Sequence, residues 1–128
     1  KITINEIIKI VIMSIIFTAV DSFYLTTTAS HFKRIVSNIQ GSPLVLQMLP
    51  TFLCYISLLF GLYYFIIREK RSYIDAGILG LVIYAVYEFT NKAIFKDWTW
   101  FTVFIDTIWG GILFSLTTYL VYKIYGTK

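Results

Sequence analysis

The sequence predicts an all-α integral membrane protein: a bundle of four transmembrane helices that forms one domain over residues 1–128. Hydrophobic residues make up 58% of the chain and charged residues only 14%, and the mean hydropathy is +0.75. Soluble domains are about 45–50% apolar and about 25% charged, so the apolar excess is more than one small core could bury. Because no linker of Ser, Gly or Pro divides the chain, we expect a single bundle with membrane lipid as its solvent.

Four windows are apolar enough to cross a hydrocarbon core of about 30 Å, which needs roughly 20 helical residues. They are residues 5–25, 45–67, 74–92 and 100–122. The first window is longer than a typical signal-peptide core and has no clear cleavage site after it, so we expect a retained anchor. Pro50 predicts either a first-turn proline or a kink in the second span. Since the chain starts at Lys1, a leader before it remains open.

Between the first two spans, apolar and polar residues alternate at helical spacing. The pattern fits a short helix that lies in the membrane interface and ends at Gly41. An ordinary polar loop is the alternative. The apolar positions are Phe32, Ile35, Val36 and Ile39, and the polar positions are Lys33, Arg34, Ser37 and Asn38.

The basic residues indicate an orientation in the membrane. They lie at the ends of the spans and do not form a patch, so the net charge of +4 gives no reason to expect a nucleic-acid partner. The positive-inside rule predicts both termini in the cytoplasm or on the topologically equivalent side. That side carries Lys1, Lys9, Arg68, Lys70, Arg71, Lys123 and Lys128, against Lys33, Arg34, Lys92 and Lys96 on the other.

Three carboxylates fall inside the predicted spans: Asp21, Glu88 and Asp106. Counting about 1.5 Å of rise per residue places all three in one layer, about 10 Å below the non-cytoplasmic face. An ionised acid in a lipid-facing helix costs about 2.5–3.5 kcal/mol, so all three should face inward. With the polar residues near them they form a candidate cluster: Asp21, Tyr84, Tyr87, Glu88, Thr90, Asn91, Asp106 and Trp109.

Two interpretations of this cluster remain open. In the first it is a site for a proton, a cation or a polar headgroup, with at least one carboxylate protonated through crowding and desolvation. In the second it is an interhelical hydrogen-bond lock, in which Lys92 could pair with Glu88 four residues earlier.

Catalytic and metal chemistry have little support in the sequence. The carboxylates lack the Glu-x-x-His pairs of diiron bundles, and His31, the one histidine, lies in the interfacial segment. The sequence has no Gly-rich phosphate loop, nucleophile elbow or zinc pattern, and no serine triad can be assembled around its one histidine. We therefore expect no catalytic residues, no metal and no cofactor. The glycines Gly77, Gly80, Gly110 and Gly111 are interpreted as positions of close helix packing.

Motif residues recur along nearly the whole chain. They are Asp21-Ser-Phe-Tyr-Leu25, Gly77, Gly80, Tyr84-Ala-Val-Tyr87-Glu88-Phe-Thr90-Asn91-Lys-Ala93, Trp98 and Asp106-Thr-Ile-Trp109-Gly110. This pattern resembles a known family of small predicted membrane proteins, domain of unknown function 2177, whose members are similar in having a four-span bundle and motifs of the types Y-D-x-T-N and D-x-x-W-G. This chain has Glu88 where the first motif would have Asp, and Phe23-Tyr24 where a Trp is common, so charge is kept but side-chain reach differs. The resemblance implies fold and membrane location but no activity.

For function, the leading hypothesis is a non-enzymatic component of a membrane assembly, with other membrane-protein subunits as partners. Its basis is the missing catalytic constellation together with short loops that leave no soluble domain. The second hypothesis is a carrier that binds a proton, a cation or a lipid headgroup through Asp21, Glu88 and Asp106. An enzyme that acts on membrane lipids ranks third.

Overall fold

The structure is a computed structural model that describes residues 2–126. The second helix continues as a π-helical turn, Tyr63–Ile67. All four helices, with this turn included in the second, are long and apolar enough to cross a membrane. The predicted all-α, four-span membrane fold is therefore confirmed. The helices are α1 Ile4–Gln40, α2 Met48–Leu62, α3 Tyr73–Ile94 and α4 Trp100–Tyr125.

Local capping signals account for where the helices begin and end. The side chains of Thr3, Ser72 and Thr99 each accept a hydrogen bond from a backbone N–H in the first turn of the helix that follows. Gly41 and Gly126 end α1 and α4 in the left-handed conformation, with φ of 74° and 67°. These caps satisfy backbone groups that lipid could not.

Pro50 lies in the first turn of α2, which begins at Met48. An N–H at this position has no intrahelical acceptor, so the proline removes no hydrogen bond. Of the two alternatives that the sequence left open, the first-turn position is the one found.

The first helix is longer than its predicted span. It runs unbroken for 37 residues, so the separate interfacial helix expected between the first two spans is wrong. Its residues are helical and do end at Gly41, but they are the last turns of α1. Residues 26–31, between the predicted first span and the predicted interfacial helix, include no Gly or Pro that would break the helix. There, Thr27 and Thr28 donate hydrogen bonds to the carbonyls four residues earlier, at 2.8 Å each.

The extension of α1 is held by packing against the α3–α4 connection. Ile35 is buried against Trp98 and Val103, with Phe32 and Ile39 packed beside them. The apolar face that suggested an interfacial helix therefore packs against protein. Tertiary contacts of this kind are not visible in a local sequence window.

Spin labels on α1 test its continuity directly. With labels at Ile4 and Asn38, an unbroken helix predicts a backbone separation of about 51 Å, from 34 steps of about 1.5 Å. Double electron–electron resonance in nanodiscs would measure the separation. Labels at Phe101 and Ile124 within α4 provide the control, at about 35 Å. A markedly shorter α1 distance with a normal α4 distance would show that α1 bends into two helices.

The fourth helix lies at the centre of the bundle. In the most apolar 18-residue window of each helix, 44% of α4 is buried, against 17% for each of the others. Phe114 of α4 meets Phe17 of α1 edge to face at 5.6 Å, and Phe17 meets Tyr55 of α2 at 6.1 Å. The three side chains thus connect α4, α1 and α2.

Glycines set the close contact between α3 and α4 at three of the four predicted positions, whereas a Cβ at Gly77 would make an ordinary contact, 3.4 Å from the Cβ of Ser115. A Cβ atom at Gly80 would stand 2.2 Å from the carbonyl oxygen of Gly110, and one at Gly110 would stand 2.3 Å from the ring of Tyr84. At Gly111 it would approach Leu81 to 2.9 Å. Because these distances leave no space for a side chain, the two helices can approach this closely only where glycine is present.

Candidate functional site: a buried carboxylate cluster

All three intramembrane carboxylates face the interior of the bundle. Asp21 on α1 is 5% exposed, Glu88 on α3 is 0% exposed and Asp106 on α4 is 7% exposed. Glu88 lies six residues before the end of α3 and Asp106 six residues after the start of α4. Both are therefore about 9 Å from the α3–α4 connection. This is the half of the bundle in which the depth calculation placed them.

Asp21 joins three helices. One of its carboxylate oxygens accepts a hydrogen bond from the indole N–H of Trp109 on α4, at 2.9 Å. The other accepts a hydrogen bond from the hydroxyl of Tyr55 on α2. Both oxygens of this buried group are thus satisfied by neutral donors from neighbouring helices, which stabilises a buried acid.

Asp106 is bound from α1. Its Oδ1 accepts a hydrogen bond from the hydroxyl of Tyr24, at 2.9 Å. The ring of Tyr24 stacks on Trp109 with centroids 4.6 Å apart and an interplanar angle of 4°. Since Trp109 also donates to Asp21, one aromatic stack positions the donors of two carboxylates.

Glu88 has one satisfied oxygen and one without a partner. Its Oε1 accepts a hydrogen bond from the indole N–H of Trp98, at 2.7 Å. Trp98 comes from the α3–α4 connection and is itself buried, at 4% exposure. Glu88 Oε2 is buried without a hydrogen-bond partner, and Asp106 is the acid that neighbours Glu88. The two acids therefore form a carboxyl pair, the Glu88–Asp106 pair.

No positive charge compensates the cluster within residues 2–126, where the ion pairs are Arg68–Glu69 and Arg71–Asp75. The pairing of Lys92 with Glu88, which the hydrogen-bond lock allowed, is not found. The Lys92 amine lies 3.4 Å from the carbonyl oxygen of Lys96 and over the ring of Trp100. A long lysine side chain can keep its ammonium group near water in this way, which costs less than burying it.

The structure brings together most of the sequence-predicted cluster but not all of it. Asn91 is buried and Tyr84 is half-buried, with the Tyr84 ring packed against Gly110. Tyr87 and Thr90 are exposed on the outer face of α3, so they do not join the carboxylates. Their inclusion came from a contiguous motif, whereas only every third or fourth residue of a helix can face one side.

Three of the donors were missed by sequence reasoning: Tyr24, Tyr55 and Trp98. A signal existed for Tyr24, because it follows Asp21 by three residues and shares its side of the helix. Trp98 was named only among the residues of the family resemblance. No local signal identifies Tyr55, since its acceptor lies 34 residues away in sequence.

Within residues 2–126, no group of three or more His, Cys, Asp or Glu side chains is arranged to hold a metal ion. The Nε2 atom of His31 lies 2.7 Å from the hydroxyl of Thr102, which places the imidazole in a separate polar contact between α1 and α4. The cluster is a set of buried acids whose hydrogen-bond donors are aromatic.

These features define a class: a multi-pass integral membrane protein with an acid pair enclosed by its helices. The chain belongs to the family of predicted membrane proteins designated domain of unknown function 2177, whose model matches residues 6–123. This match covers nearly the whole chain and confirms the resemblance seen in the motifs. No curated protein and no solved structure matches the chain.

Proposed function

We propose that the protein is an ion-binding membrane carrier that takes up a proton, a small cation or a cationic headgroup at the Glu88–Asp106 pair. The observation that supports this most is the fully buried Glu88, whose second oxygen has no hydrogen-bond partner and lies beside another acid. Two adjacent carboxylates in a low-dielectric interior repel one another, and burial disfavours the charge on each. A positive species bound between them would relieve both penalties.

The surroundings of the pair support the same proposal. Its donors, Trp98 and Tyr24, are neutral, so they orient the carboxyl groups without cancelling their charge. The positive-inside bias of the sequence predicts the α3–α4 connection on the non-cytoplasmic side, with both termini in the cytoplasm or on the topologically equivalent side. In that orientation the pair exchanges its ion with the side opposite the termini.

Replacing Glu88 with glutamine tests this proposal. The Glu88→Gln protein should lose ion binding by at least about tenfold, since one charge of the pair is removed while its shape is kept. Calorimetric titration with acid, alkali cations and choline, together with flux in proteoliposomes, would measure the change. Glu69→Gln is the matched control, because Glu69 is exposed in the α2–α3 connection and should leave binding unchanged.

Asp106→Asn gives an independent form of the same test should Glu88→Gln fail to fold. If either variant folds and still binds the ion as the unaltered protein does, the proposal is wrong. Loss of binding in Glu69→Gln as well would point to a general surface effect and would also contradict it.

A second candidate function is an accessory role in a membrane assembly. A groove of about 700 Å³ runs along the outer face between α3 and α4, and its mostly large apolar lining includes the small residues Gly77, Gly111 and Ser115. Small residues let a neighbouring transmembrane helix approach closely, so Ser115→Leu should displace a partner from this groove. Native gels after purification in mild detergent would show it. A protein that is already monomeric and free of partners would count against this role.

A further inference from the structure

We infer that the species held by the Glu88–Asp106 pair is a proton and not a metal cation or an amine headgroup. This inference rests on the proposed function and names its ligand. Two features carry it: the hydrogen bonds already made by the carboxylate oxygens, and the closed packing around Glu88.

Most carboxylate oxygens of the cluster are already occupied. Asp21 uses both of its oxygens for Trp109 and Tyr55. Asp106 uses Oδ1 for Tyr24, and Glu88 uses Oε1 for Trp98. Of the six carboxylate oxygens, two therefore remain: Glu88 Oε2 and Asp106 Oδ2.

Two free oxygens are too few for a hard metal cation. Calcium takes about six to eight oxygen ligands, and magnesium demands about six in an octahedron. Each donor hydrogen from Trp98 or Tyr24 also brings partial positive charge to the oxygen that it contacts, which opposes a cation there. A metal would have to break these hydrogen bonds and leave buried donors unpaired.

A proton satisfies the same site without displacing anything. A hydronium ion transfers its proton to Glu88 Oε2 and leaves as water. The new O–H group donates a hydrogen bond to Asp106, so the unpartnered oxygen gains a partner. The pair then carries one negative charge where it carried two. A proton needs no cavity, whereas an ammonium group would need space beside a side chain that is 0% exposed.

The groups named here that surround the Glu88–Asp106 pair are acidic or neutral, so a proton binds to the acids themselves. α1 presents Tyr24 and Asp21, and α2 presents Tyr55, which donates to Asp21. α3 and α4 contribute Tyr84, Glu88 and Asp106, with Trp98 from their connection. Within residues 2–126 the ion pairs join Arg68 to Glu69 and Arg71 to Asp75, near the start of α3 and far from Glu88. Neutralisation of the pair is therefore left to a bound proton.

Infrared difference spectroscopy of the protein in nanodiscs tests this inference. Protein carrying glutamate labelled with ¹³C at the side-chain carboxyl should show an isotope-shifted C=O band of a protonated carboxylic acid. The band should vanish completely in Glu88→Gln and remain in the matched control, Glu69→Gln. At fixed pH it should not change on addition of sodium, potassium, calcium or choline. Trp98→Phe should shift its frequency, because the hydrogen bond to the other oxygen of the group is lost.

The outcomes separate the two proposals. Loss of the band on adding one of these cations, with release of a proton, would show a cation site; it would overturn this inference and leave the proposed function standing. No labelled band at any pH, together with no cation binding, would overturn both. A band that persists in folded Glu88→Gln would place the proton on another acid and would contradict the assignment. Since the labelled band is read in the unaltered protein, the test does not depend on a variant that folds.

Discussion

A Gly80→Ala substitution should lower the stability of the bundle by about 3 kcal/mol or more, at the upper end of what overpacking usually costs. The added Cβ would stand 2.2 Å from the carbonyl oxygen of Gly110 and 2.9 Å from the Cβ of Phe114. The first of these atoms is backbone, so it cannot move away as a flexible side chain would. The helices α3 and α4 would have to separate, and Tyr84 and the acids beside it would lose their packing.

Unfolding of the purified protein by SDS in mixed micelles, followed by circular dichroism, would measure this loss. Gly61→Ala is the matched control, because a Cβ there meets nothing within 4 Å. That variant should be as stable as the unaltered protein or slightly more so, since alanine has the higher helix propensity. Equal stabilities for the two variants would contradict the close contact between α3 and α4.

The second large effect is expected at Asp21. Asp21→Ala leaves the donors of Trp109 and Tyr55 buried without an acceptor, and each such donor costs about 1–3 kcal/mol. The total loss should reach about 2–6 kcal/mol. Asp21→Asn should cost less, because its amide oxygen can still accept one of the two hydrogen bonds.

The same micelle unfolding assay applies to this series. Asp97→Ala serves as its control, since Asp97 is exposed in the α3–α4 connection and should change stability by less than about 0.5 kcal/mol. If Asp21→Ala behaves like Asp97→Ala, the Asp21 side chain does not hold α1, α2 and α4 together.

Hydrophobic length was enough to predict the four spans, because lipid imposes the same requirement on every transmembrane helix. The extent of α1 was not predictable in this way. Its last turns are helical because Ile35 packs against Trp98 and Val103, and such contacts do not appear in a local pattern. The helical structure of this segment was therefore predicted correctly, but its separation from α1 was not.

The candidate site shows the same division. Helical rise alone predicted a common depth for Asp21, Glu88 and Asp106. The cost of a charge in lipid predicted that all three face inward. Their donors depend on how the helices rotate against one another, as for Trp109, which lies 88 residues from Asp21. Spacing also suggested Lys92 as a partner for Glu88. Spacing takes no account of the lower free-energy cost of keeping an ammonium group near water.

The central claim is that the buried acids are held by neutral aromatic donors from other helices. A double-mutant cycle between Tyr24 and Asp106 tests it most directly, with Tyr24→Phe, Asp106→Ala and the double variant compared in the micelle unfolding assay. A hydrogen bond to a charged group predicts a coupling free energy of about 1.5–3 kcal/mol between the two positions. Effects that add to within about 0.5 kcal/mol would show that the two side chains do not interact, and would contradict the claim.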